Sequence, residues 1–340
     1  MSLQKLKERK VLVTGGAGFI GSEVVSQLCE NGAQVSILDN FSSGKKAYLP
    51  SSPRVTVISG DICNKPLVKK VLKDCESVIH IAALPFIPYS FNSPEEFFRV
   101  NVMGTLNLLC EAMNAETVSR FVQISSSEVY GSAKYVPMDE DHPISPHSTY
   151  AVSKLASARI ALLSHKEHGF PAAVVRPFNA YGPNVTQPYI IPEIIVQLLK
   201  GDTQIQLGNV ESSRDFTYVS DTARAILLAT VNDAVIGEVI NIGSGRVITI
   251  RNLAYLIASI MGVNIQLTMD ETRLRPFDVT KLVCDWSKAK RLLSWSPEVT
   301  LEDGLAKVIN WLRTQQNVVQ NWVPYTERKA FEGPLLNNAV

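Results

Sequence analysis

A cluster of glycines near the start of the chain constrains its fold more than any other feature. The apolar run Val11–Val13 is typical of a buried strand, stops at a glycine turn, and is followed by a helical apolar pattern from Phe19. Gly15, Gly18 and Gly21 follow a Gly-x-x-Gly-x-x-Gly spacing. A strand, a tight glycine turn and a helix bring backbone N–H groups close to a pyrophosphate. The segment therefore predicts a dinucleotide-binding βαβ unit, with a plain turn as the alternative.

Asp39 indicates which dinucleotide the chain binds. The next predicted strand, Gln34–Leu38, ends at Asp39, where a carboxylate meets the ribose hydroxyls of the adenosine. A carboxylate at this point repels a 2′-phosphate, so the sequence favours NAD over NADP. Asp61 and Ile62 end the following strand. An adenine contact and a turn-forming role for Asp61 are equally compatible with the sequence.

The order of the predicted elements defines the fold class. Strands alternate with helices as far as Arg176, which predicts an α/β fold with a Rossmann-type doubly wound parallel sheet. Beyond Pro177, further prolines interrupt this rhythm, and we expect a smaller C-terminal substrate-binding lobe. The predicted division is a dinucleotide-binding domain at 1–178, a substrate lobe at 179–316 and a tail at 317–340. A strand near 238–243 is expected to rejoin the large sheet.

Composition excludes several classes of partner. The chain has 340 residues, 46% hydrophobic and 19% charged, and a net charge of +1 without long runs of Lys or Arg. These values predict a globular protein with no nucleic-acid or membrane partner. The first residues lack an apolar signal segment, and no apolar stretch approaches the roughly 18 residues of a membrane span. Scattered cysteines and histidines without metal-ligand spacing predict reduced thiols, a cytoplasmic location and no metal.

Tyr150 and Lys154 form a candidate proton-transfer pair. Their spacing of four residues at the start of a predicted helix places both side chains on one face. A phenol loses its proton only near pH 10, and a lysine ammonium one turn away, with the positive nicotinamide ring nearby, stabilises the phenolate and lowers the pKa. Ser126, at a predicted strand end, can bond to the same substrate oxygen. A surface pair is the alternative, but the upstream dinucleotide pattern favours the catalytic interpretation.

The chain resembles the extended short-chain dehydrogenase/reductase family over residues 8–315. The resemblance rests on segments that stand in family order: Thr14–Gly21, Asp39, Asp61–Ile62, Ala82–Ala83, Asn101, Ser125–Gly131, Tyr150–Lys154, Arg176–Pro183, Ser213–Asp221 and Arg273–Pro276. It implies an enzyme acting on a nucleoside-diphosphate (NDP) sugar, and a homodimer. Members include 4-epimerases, 4,6-dehydratases and uronate decarboxylases, and all of them begin by passing the C4 hydride to bound NAD.

Glu128 is the residue that separates these branches. Epimerases of the family have small residues here, dehydratases carry Thr-Asp-Glu at Ser126-Ser127-Glu128, and decarboxylases and some amino-sugar dehydratases carry Thr-Ser-Glu. Oxidation at C4 acidifies the C5 proton, which Glu128 can remove while the C6 hydroxyl leaves. An ion pair with a nearby cation is the alternative role for Glu128.

Three departures from the family pattern refine the expectation. Ser127 replaces the aspartic acid that protonates the leaving hydroxyl in hexose dehydratases, so the acid must be Glu128 itself or a water. Pro85 stands where epimerases place a cofactor-facing lysine, which weakens the epimerase interpretation. Asn184 stands where decarboxylases typically have an arginine, which counts against that branch.

Further segments resemble the 4,6-dehydratases of N-acetylhexosamine nucleotides, which feed nonulosonic-acid and related surface-sugar pathways: Ile87–Ser90, Val136–Pro143, Ala234–Ser244 and Leu274–Asp285. The function implied is therefore an NAD-dependent nucleotide-sugar 4,6-dehydratase acting on a GDP- or UDP-linked N-acetylhexosamine or hexose. It oxidises C4, eliminates water across C5–C6 and returns the hydride to C6. The alternatives are a 4-epimerase, a UDP-glucuronate decarboxylase and, outside enzymes, an NAD-binding scaffold.

The residue patterns and the resemblance together assign the site residues. The expected catalytic residues are Ser126, Ser127, Glu128, Tyr150 and Lys154. The expected cofactor contacts are Gly15, Gly18, Phe19, Ile20, Gly21, Asp39, Asn40, Asp61, Ile62, Ala82, Ala83, Asn101, Tyr150, Lys154 and Pro177. The expected substrate contacts are Pro88, Ser90, Ser126, Asn179, Arg214 and Arg275, the two arginines because a guanidinium fork suits phosphate oxygens. Surface ion pairs are the alternative role for either arginine.

Overall fold

The computed structural model describes residues 3–274 and 278–323. Its strands within these ranges are β1 Lys10–Thr14, β2 Gln34–Asp39, β3 Val55–Ser59, β4 Ser77–His80, β5 Arg120–Ile124, β6 Ala172–Pro177, β7 Asn179–Tyr181, β8 Gln204–Leu207, β9 Ser213–Arg214, β10 Phe216–Tyr218, β11 Val239–Ile242, β12 Ile248–Thr249 and β13 Gln266–Met269. The α-helices are α1 Phe19–Glu30, α2 Lys65–Leu72, α3 Ile87–Asn92, α4 Pro94–Phe97, α5 Thr105–Asn114, α6 Thr149–His168, α7 Ile190–Leu199, α8 Val219–Val231, α9 Ile250–Met261, α10 Ser287–Leu293, α11 Leu301–Thr314 and α12 Gln316–Gln320. A π-helical segment, Phe98–Gly104, precedes α5, and a 3₁₀ turn, Ser127–Tyr130, follows β5.

Seven parallel strands form the central sheet, in the order β11-β6-β5-β4-β1-β2-β3. The inner strands are apolar on both faces, because helices cover both sides of the sheet. Val13, for example, is fully buried and pairs with Ile37 on one side and Ile79 on the other. This architecture confirms the predicted Rossmann-type doubly wound sheet.

Two hydrophobic cores flank the sheet. One contains Val24 and Leu28 of α1 together with Ile226 of α8. The other contains Leu108 of α5 and Ala161 of α6. The strand order reverses direction at β1 and β4, and open α/β sheets bind ligands at such a point, outside the carboxyl ends of the strands.

The smaller lobe has a core of its own, built from α7, α9 and α11 around Ile194, Ile257 and Val308. Within the described residues, three short strand pairs accompany this core. The pairs β7 with β10 and β8 with β13 are parallel, and the pair β9 with β12 is antiparallel. The chain crosses between lobe and sheet more than once, since α8 packs on the sheet and β11 pairs with β6. The exact domain limits therefore stay predictions.

None of the described helices combines the length and the apolar composition that crossing a bilayer requires. The described part of the chain also holds no group of three or more His, Cys, Asp or Glu side chains arranged to bind a metal ion.

Candidate active site

The glycine turn after β1 is packed too tightly for side chains. A Cβ on Gly15, which has a φ of +70°, would lie 2.7 Å from the backbone nitrogen of Ala82. A Cβ on Gly21 would lie 2.0 Å from the carbonyl oxygen of Gly15. Helix α1 starts at Phe19 directly above this turn, and its first residues line a cavity. The turn thus places a helix N-terminus, a favourable position for phosphate, against the end of β4.

Asp39 is held at the rim of the same turn. Its Oδ2 accepts the N–H of Ala17 at 2.9 Å and its Oδ1 accepts the N–H of Phe41 at 2.8 Å. Burial raises the pKa of this carboxyl, and the two backbone hydrogen bonds oppose that shift. Each carboxylate oxygen keeps a lone pair for a further donor. The side chain lines the cavity and is therefore suited to accept ribose hydroxyls.

Asp61 has the turn-forming role and also lies in the cavity wall. Its Oδ1 accepts the N–H of Cys63 at 2.8 Å, which is the turn-forming contact. Asp61 and Ile62 also line the cavity, at its edge on β3. An adenine contact from this position stays a prediction.

His80, at the end of β4, was missed by the sequence reasoning. The Thr105 hydroxyl donates to the carbonyl oxygen of Asn101 at 2.6 Å, so its oxygen must accept from Nε2 of His80 at 2.9 Å. Nδ1 therefore accepts from the Thr14 hydroxyl at 2.6 Å. Burial lowers the pKa of His80 to about 3. The neutral ring therefore has one fixed tautomer. Its two hydrogen bonds connect β4 to β1 and to the start of α5 beneath the glycine turn. A polar residue closing an apolar strand was the available signal.

Asn101 lies behind the cavity rather than in its wall. Its amide donates to the Leu84 carbonyl at 3.2 Å and to the Ser153 hydroxyl at 2.9 Å, and its Oδ1 accepts the Leu84 N–H at 2.7 Å. The Ser153 hydroxyl donates to the carbonyl of Tyr150. Asn101 therefore links the loop after β4 to the helix that carries Tyr150.

Four of the five predicted catalytic residues line one cavity: Ser126, Glu128, Tyr150 and Lys154. Ser126 ends β5 and accepts the N–H of Glu128 at 3.2 Å, which starts the 3₁₀ turn. Tyr150 lies in the first turn of α6, which Ser148 caps by accepting the N–H of Ala151. The fifth residue, Ser127, is buried and does not belong to the cavity wall.

Burial dominates the electrostatics of this group. Burial raises the pKa of the Tyr150 phenol to about 12, Glu128 raises it further, and a hydrogen bond with Ser126 opposes the shift. Burial also lowers the pKa of Lys154 to about 8. The sequence predicted that Lys154 together with the positive nicotinamide ring lowers the pKa of Tyr150; in the protein without cofactor desolvation dominates, so this stays a prediction for the NAD-bound protein. Deprotonation of Tyr150 near neutral pH requires additional positive charge in the cavity.

The cavity has a volume of about 410 Å³ and runs from the glycine turn into the smaller lobe. Its wall includes most of the remaining predicted contacts: Gly15, Gly18, Phe19, Ile20, Gly21, Asp39, Asn40, Asp61, Ile62, Ala82, Ala83, Pro88, Pro177, Asn179 and Arg214. Ser90 is outside it, fully buried, with its hydroxyl donating to the Ile87 carbonyl at 2.7 Å. Arg275 lies outside the described residues.

On the lobe side of the cavity, one predicted contact lies among residues that the sequence did not assign. The predicted contact Arg214 forms an ion pair with Asp278 at 3.1 Å, and Asn209 donates to the same carboxylate at 3.1 Å. Glu193 and Arg273 form a second pair at 2.7 Å. All five side chains line the cavity, and they come from three segments, at 193, 209–214 and 273–278. No fixed spacing connects those segments, so no local pattern could have found these pairs.

The cavity wall fits a dinucleotide. The glycine turn leaves no room for a Cβ, Asp39 lines the cavity at the end of β2, and an apolar residue and a carboxylate lie together after the end of β3. Each feature occurs at the carboxyl end of a neighbouring strand, as the binding of an extended nucleotide along the sheet edge requires.

Comparison with known proteins places this architecture among nucleotide-sugar enzymes. The family model described as GDP-mannose 4,6 dehydratase matches residues 12–308. A putative UDP-glucose 4-epimerase of Methanocaldococcus jannaschii is 36% identical over 308 residues, 89% of this chain and 98% of that protein. A dTDP-glucose 4,6-dehydratase of Streptomyces antibioticus is 33% identical over 328 residues, 94% of this chain and 96% of that protein.

A solved structure resembles the fold equally well. The dTDP-glucose 4,6-dehydratase DesIV of Streptomyces venezuelae, determined with NAD bound, superposes with a TM-score of 0.84 at 32% sequence identity. The match covers 91% of this chain and 98% of that one. Proteins described with either reaction therefore match most of this chain's length, across both the sheet and the lobe.

Proposed function

This chain belongs to the GDP-mannose 4,6-dehydratase family, within the extended short-chain dehydrogenases/reductases that act on nucleotide sugars, and we propose that it is an NAD-dependent NDP-sugar 4,6-dehydratase. A GDP- or UDP-linked N-acetylhexosamine or hexose is the proposed substrate. One observation carries the choice of reaction. The carboxylate of Glu128 lines the same cavity as Ser126, Tyr150 and Lys154, so an acid–base group lies beside the oxidation site.

The cavity wall supports one orientation of the cofactor. Asp39 would accept the ribose hydroxyls of the adenosine, and the turn at Gly15, Gly18 and Gly21 would hold the pyrophosphate. When bound, NAD takes up the hydride from C4 of the sugar and returns it at the end of the turnover. A carboxylate at Asp39 repels a 2′-phosphate, which gives the preference for NAD over NADP.

Tyr150 is the proposed base at the C4 hydroxyl. A phenol with a raised pKa holds its proton in the free protein, and the charges of Lys154 and of an oxidised nicotinamide ring favour its loss. Ser126 bonds to Tyr150 and can bond to the same sugar oxygen. Lys154, almost completely buried, is fixed in position for this role.

Glu128 is the proposed base and acid of the elimination. Once C4 is a carbonyl, Glu128 takes the proton from C5, the C5–C6 double bond forms, and the C6–O bond breaks. The departing hydroxyl leaves as water after receiving a proton from Glu128 or from a solvent molecule. Ser127 does not line the cavity, which is consistent with Glu128, rather than the residue at 127, protonating the departing hydroxyl.

A 4-epimerase is the second candidate, because the Methanocaldococcus jannaschii relative carries that description. Mass spectrometry of the products from a panel of UDP-, GDP- and dTDP-sugars separates the candidates. Loss of water supports the dehydratase, and an unchanged mass with an altered sugar supports the epimerase. Loss of carbon dioxide would identify a decarboxylase, and no turnover of any sugar would favour an NAD-binding scaffold.

We further propose that the protein is a homodimer formed through the outer face of α6 and the segment before α5. Leu163 and Val152, about three helical turns apart on α6, are 46% and 37% exposed, and nearby Met103 is 51% exposed. Exposed apolar side chains on packed helices are typical of subunit interfaces. Light scattering should find a dimer for the wild-type protein and a monomer for Leu163→Glu. The five free cysteines are consistent with the proposed cytoplasmic location.

A further inference from the structure

The lobe end of the cavity holds a buried charged group, here called the Arg273 cluster: Arg273, Glu193, Asp270 and Trp322. Nη1 of Arg273 donates to Oε1 of Glu193 at 2.7 Å, and Nε donates to Oδ2 of Asp270 at 3.1 Å. The indole N–H of Trp322 donates to the other Glu193 oxygen at 2.6 Å. The cluster thus joins α7, the loop after β13 and the segment after α12.

The cluster orients Arg273 more than it stabilises the fold. The Arg273 and Glu193 side chains are only 10% and 5% exposed, and burying such charges costs desolvation free energy that largely offsets their attraction. The bonds through Nη1 and Nε nevertheless fix the plane of the guanidinium. Nη2 makes no hydrogen bond to any residue within 3–274 or 278–323. Because Arg273 lines the cavity, this nitrogen is available to a ligand.

The reacting sugar must lie against Tyr150 and Glu128, on the sheet side of the cavity. Arg273 belongs to the lobe side, where its backbone lies next to Gly208: a Cβ there would be 2.8 Å from the Arg273 carbonyl oxygen. The part of an NDP-sugar that takes no part in the reaction is its nucleotide. An oxygen of that nucleotide, on a phosphate or on the base, is therefore the acceptor available to Nη2.

We propose that Arg273 binds the nucleotide through Nη2 and that Trp322 is a positioning residue for it. The proposal rests on the function proposed above, in that an NDP-sugar occupies the cavity. The Trp322 N–H bonds to Oε2 of Glu193 and thereby holds the carboxylate with Oε1 toward Nη1 of Arg273. Without this N–H, both carboxylate oxygens can form a two-pronged bond with Nη1 and Nη2, which consumes the nitrogen that the nucleotide needs. The C-terminal segment therefore sets substrate affinity from outside the cavity.

Titration calorimetry with UDP, GDP and dTDP tests this without requiring turnover. With whichever nucleotide binds best, we expect Arg273→Gln to weaken binding about 10-fold or more, and Trp322→Phe about 3- to 10-fold. Trp311→Phe is the matched control. Trp311 lies in the same lobe and packs edge-on against Tyr48, but its indole N–H bonds to no described residue. The control should bind within about twofold of wild type, and the NAD affinity of all three variants should be unchanged.

A second variant and a second ligand distinguish loss of binding from loss of folding and locate the acceptor. If Arg273→Gln lowers the melting temperature markedly, Arg273→Lys keeps the charge and loses Nη2, and must show the same weakening. Uridine measured beside UDP locates the acceptor: an effect on UDP alone points to a phosphate, and an effect on both points to the nucleoside. Wild-type protein that binds no nucleotide contradicts the proposed function itself. Wild-type binding with an unaffected Arg273→Gln, or a Trp322→Phe equal to Trp311→Phe, overturns this inference alone.

Discussion

The two ends of the cavity are built in different ways. At the cofactor end, backbone groups and single residues at strand ends make the contacts: a glycine turn, Asp39 and the end of β3. At the lobe end, side chains from separate segments form the wall through ion pairs such as Glu193 with Arg273. The cofactor end can be predicted from local sequence, because the carboxyl ends of parallel strands lie at one edge of the sheet. The wall at the lobe end exists only after the lobe has folded.

The largest expected effect concerns the catalytic pair between these ends. Tyr150→Phe and Lys154→Ala should each lower kcat by about 10²- to 10⁴-fold, because they remove the base or its supporting charge. The fold should persist in both variants, because the two side chains line the cavity. Circular dichroism and the melting temperature check this. Activity within a few-fold of wild type in both variants would show that another group takes the C4 proton.

A second prediction tests the cofactor end. Asp39→Asn should weaken NAD binding about 10- to 100-fold and reduce the preference over NADP. The amide has a single acceptor oxygen, so it cannot accept both the Ala17 and Phe41 N–H groups that the carboxylate accepts. Calorimetry with both dinucleotides measures this, with exposed Asp202→Asn as the control. Equal wild-type affinity for NAD and NADP would contradict the role given to Asp39.

A third prediction concerns His80 and pH. Its pKa is about 3 when folded and near 6.5 when unfolded, so the unfolded chain takes up a proton first as the pH falls. Stability is therefore fully present above about pH 6.5 and is lost toward pH 3, with a slope of up to about 1.4 kcal/mol per pH unit from this residue. Urea unfolding should show a shallower acid slope for His80→Gln than for wild type.

His168→Gln is the matched control for that experiment, because this histidine is exposed at the end of α6. Its acid slope should equal that of wild type. If His80→Gln retains the wild-type slope as well, the buried ring does not control stability below neutral pH.

The sequence predicted the strand, glycine turn and helix at the cofactor end for a physical reason. A strand, a glycine turn and a helix are adjacent in the chain, and Asp39 ends the very next strand, so few conformations satisfy the pattern. The crossover of α8 and the Arg273 cluster were not accessible, because they depend on tertiary packing between distant segments. The raised pKa of Tyr150 in the protein without cofactor was not accessible either, since spacing shows that Lys154 is near but does not measure desolvation.

Asn101 shows an intermediate case. The resemblance placed it among the cofactor contacts, whereas the structure places it behind the wall, bonded to Leu84 and Ser153. A sequence motif indicates that such a residue is important, but it does not show whether the residue contacts the cofactor or holds the cavity wall in place. Whether Asn101 also touches the cofactor stays a prediction.

Glu128→Gln tests the central claim most directly. The amide keeps the shape of the side chain but cannot accept the C5 proton, whereas Tyr150 and Lys154 remain intact. Mixed with its substrate, the variant should accumulate the near-ultraviolet absorbance of reduced nicotinamide, release no dehydrated 4-keto sugar and incorporate no solvent deuterium at C5. Normal turnover by Glu128→Gln would contradict the elimination mechanism and favour an epimerase, and failure to reduce the nicotinamide at all would assign Glu128 a purely structural role.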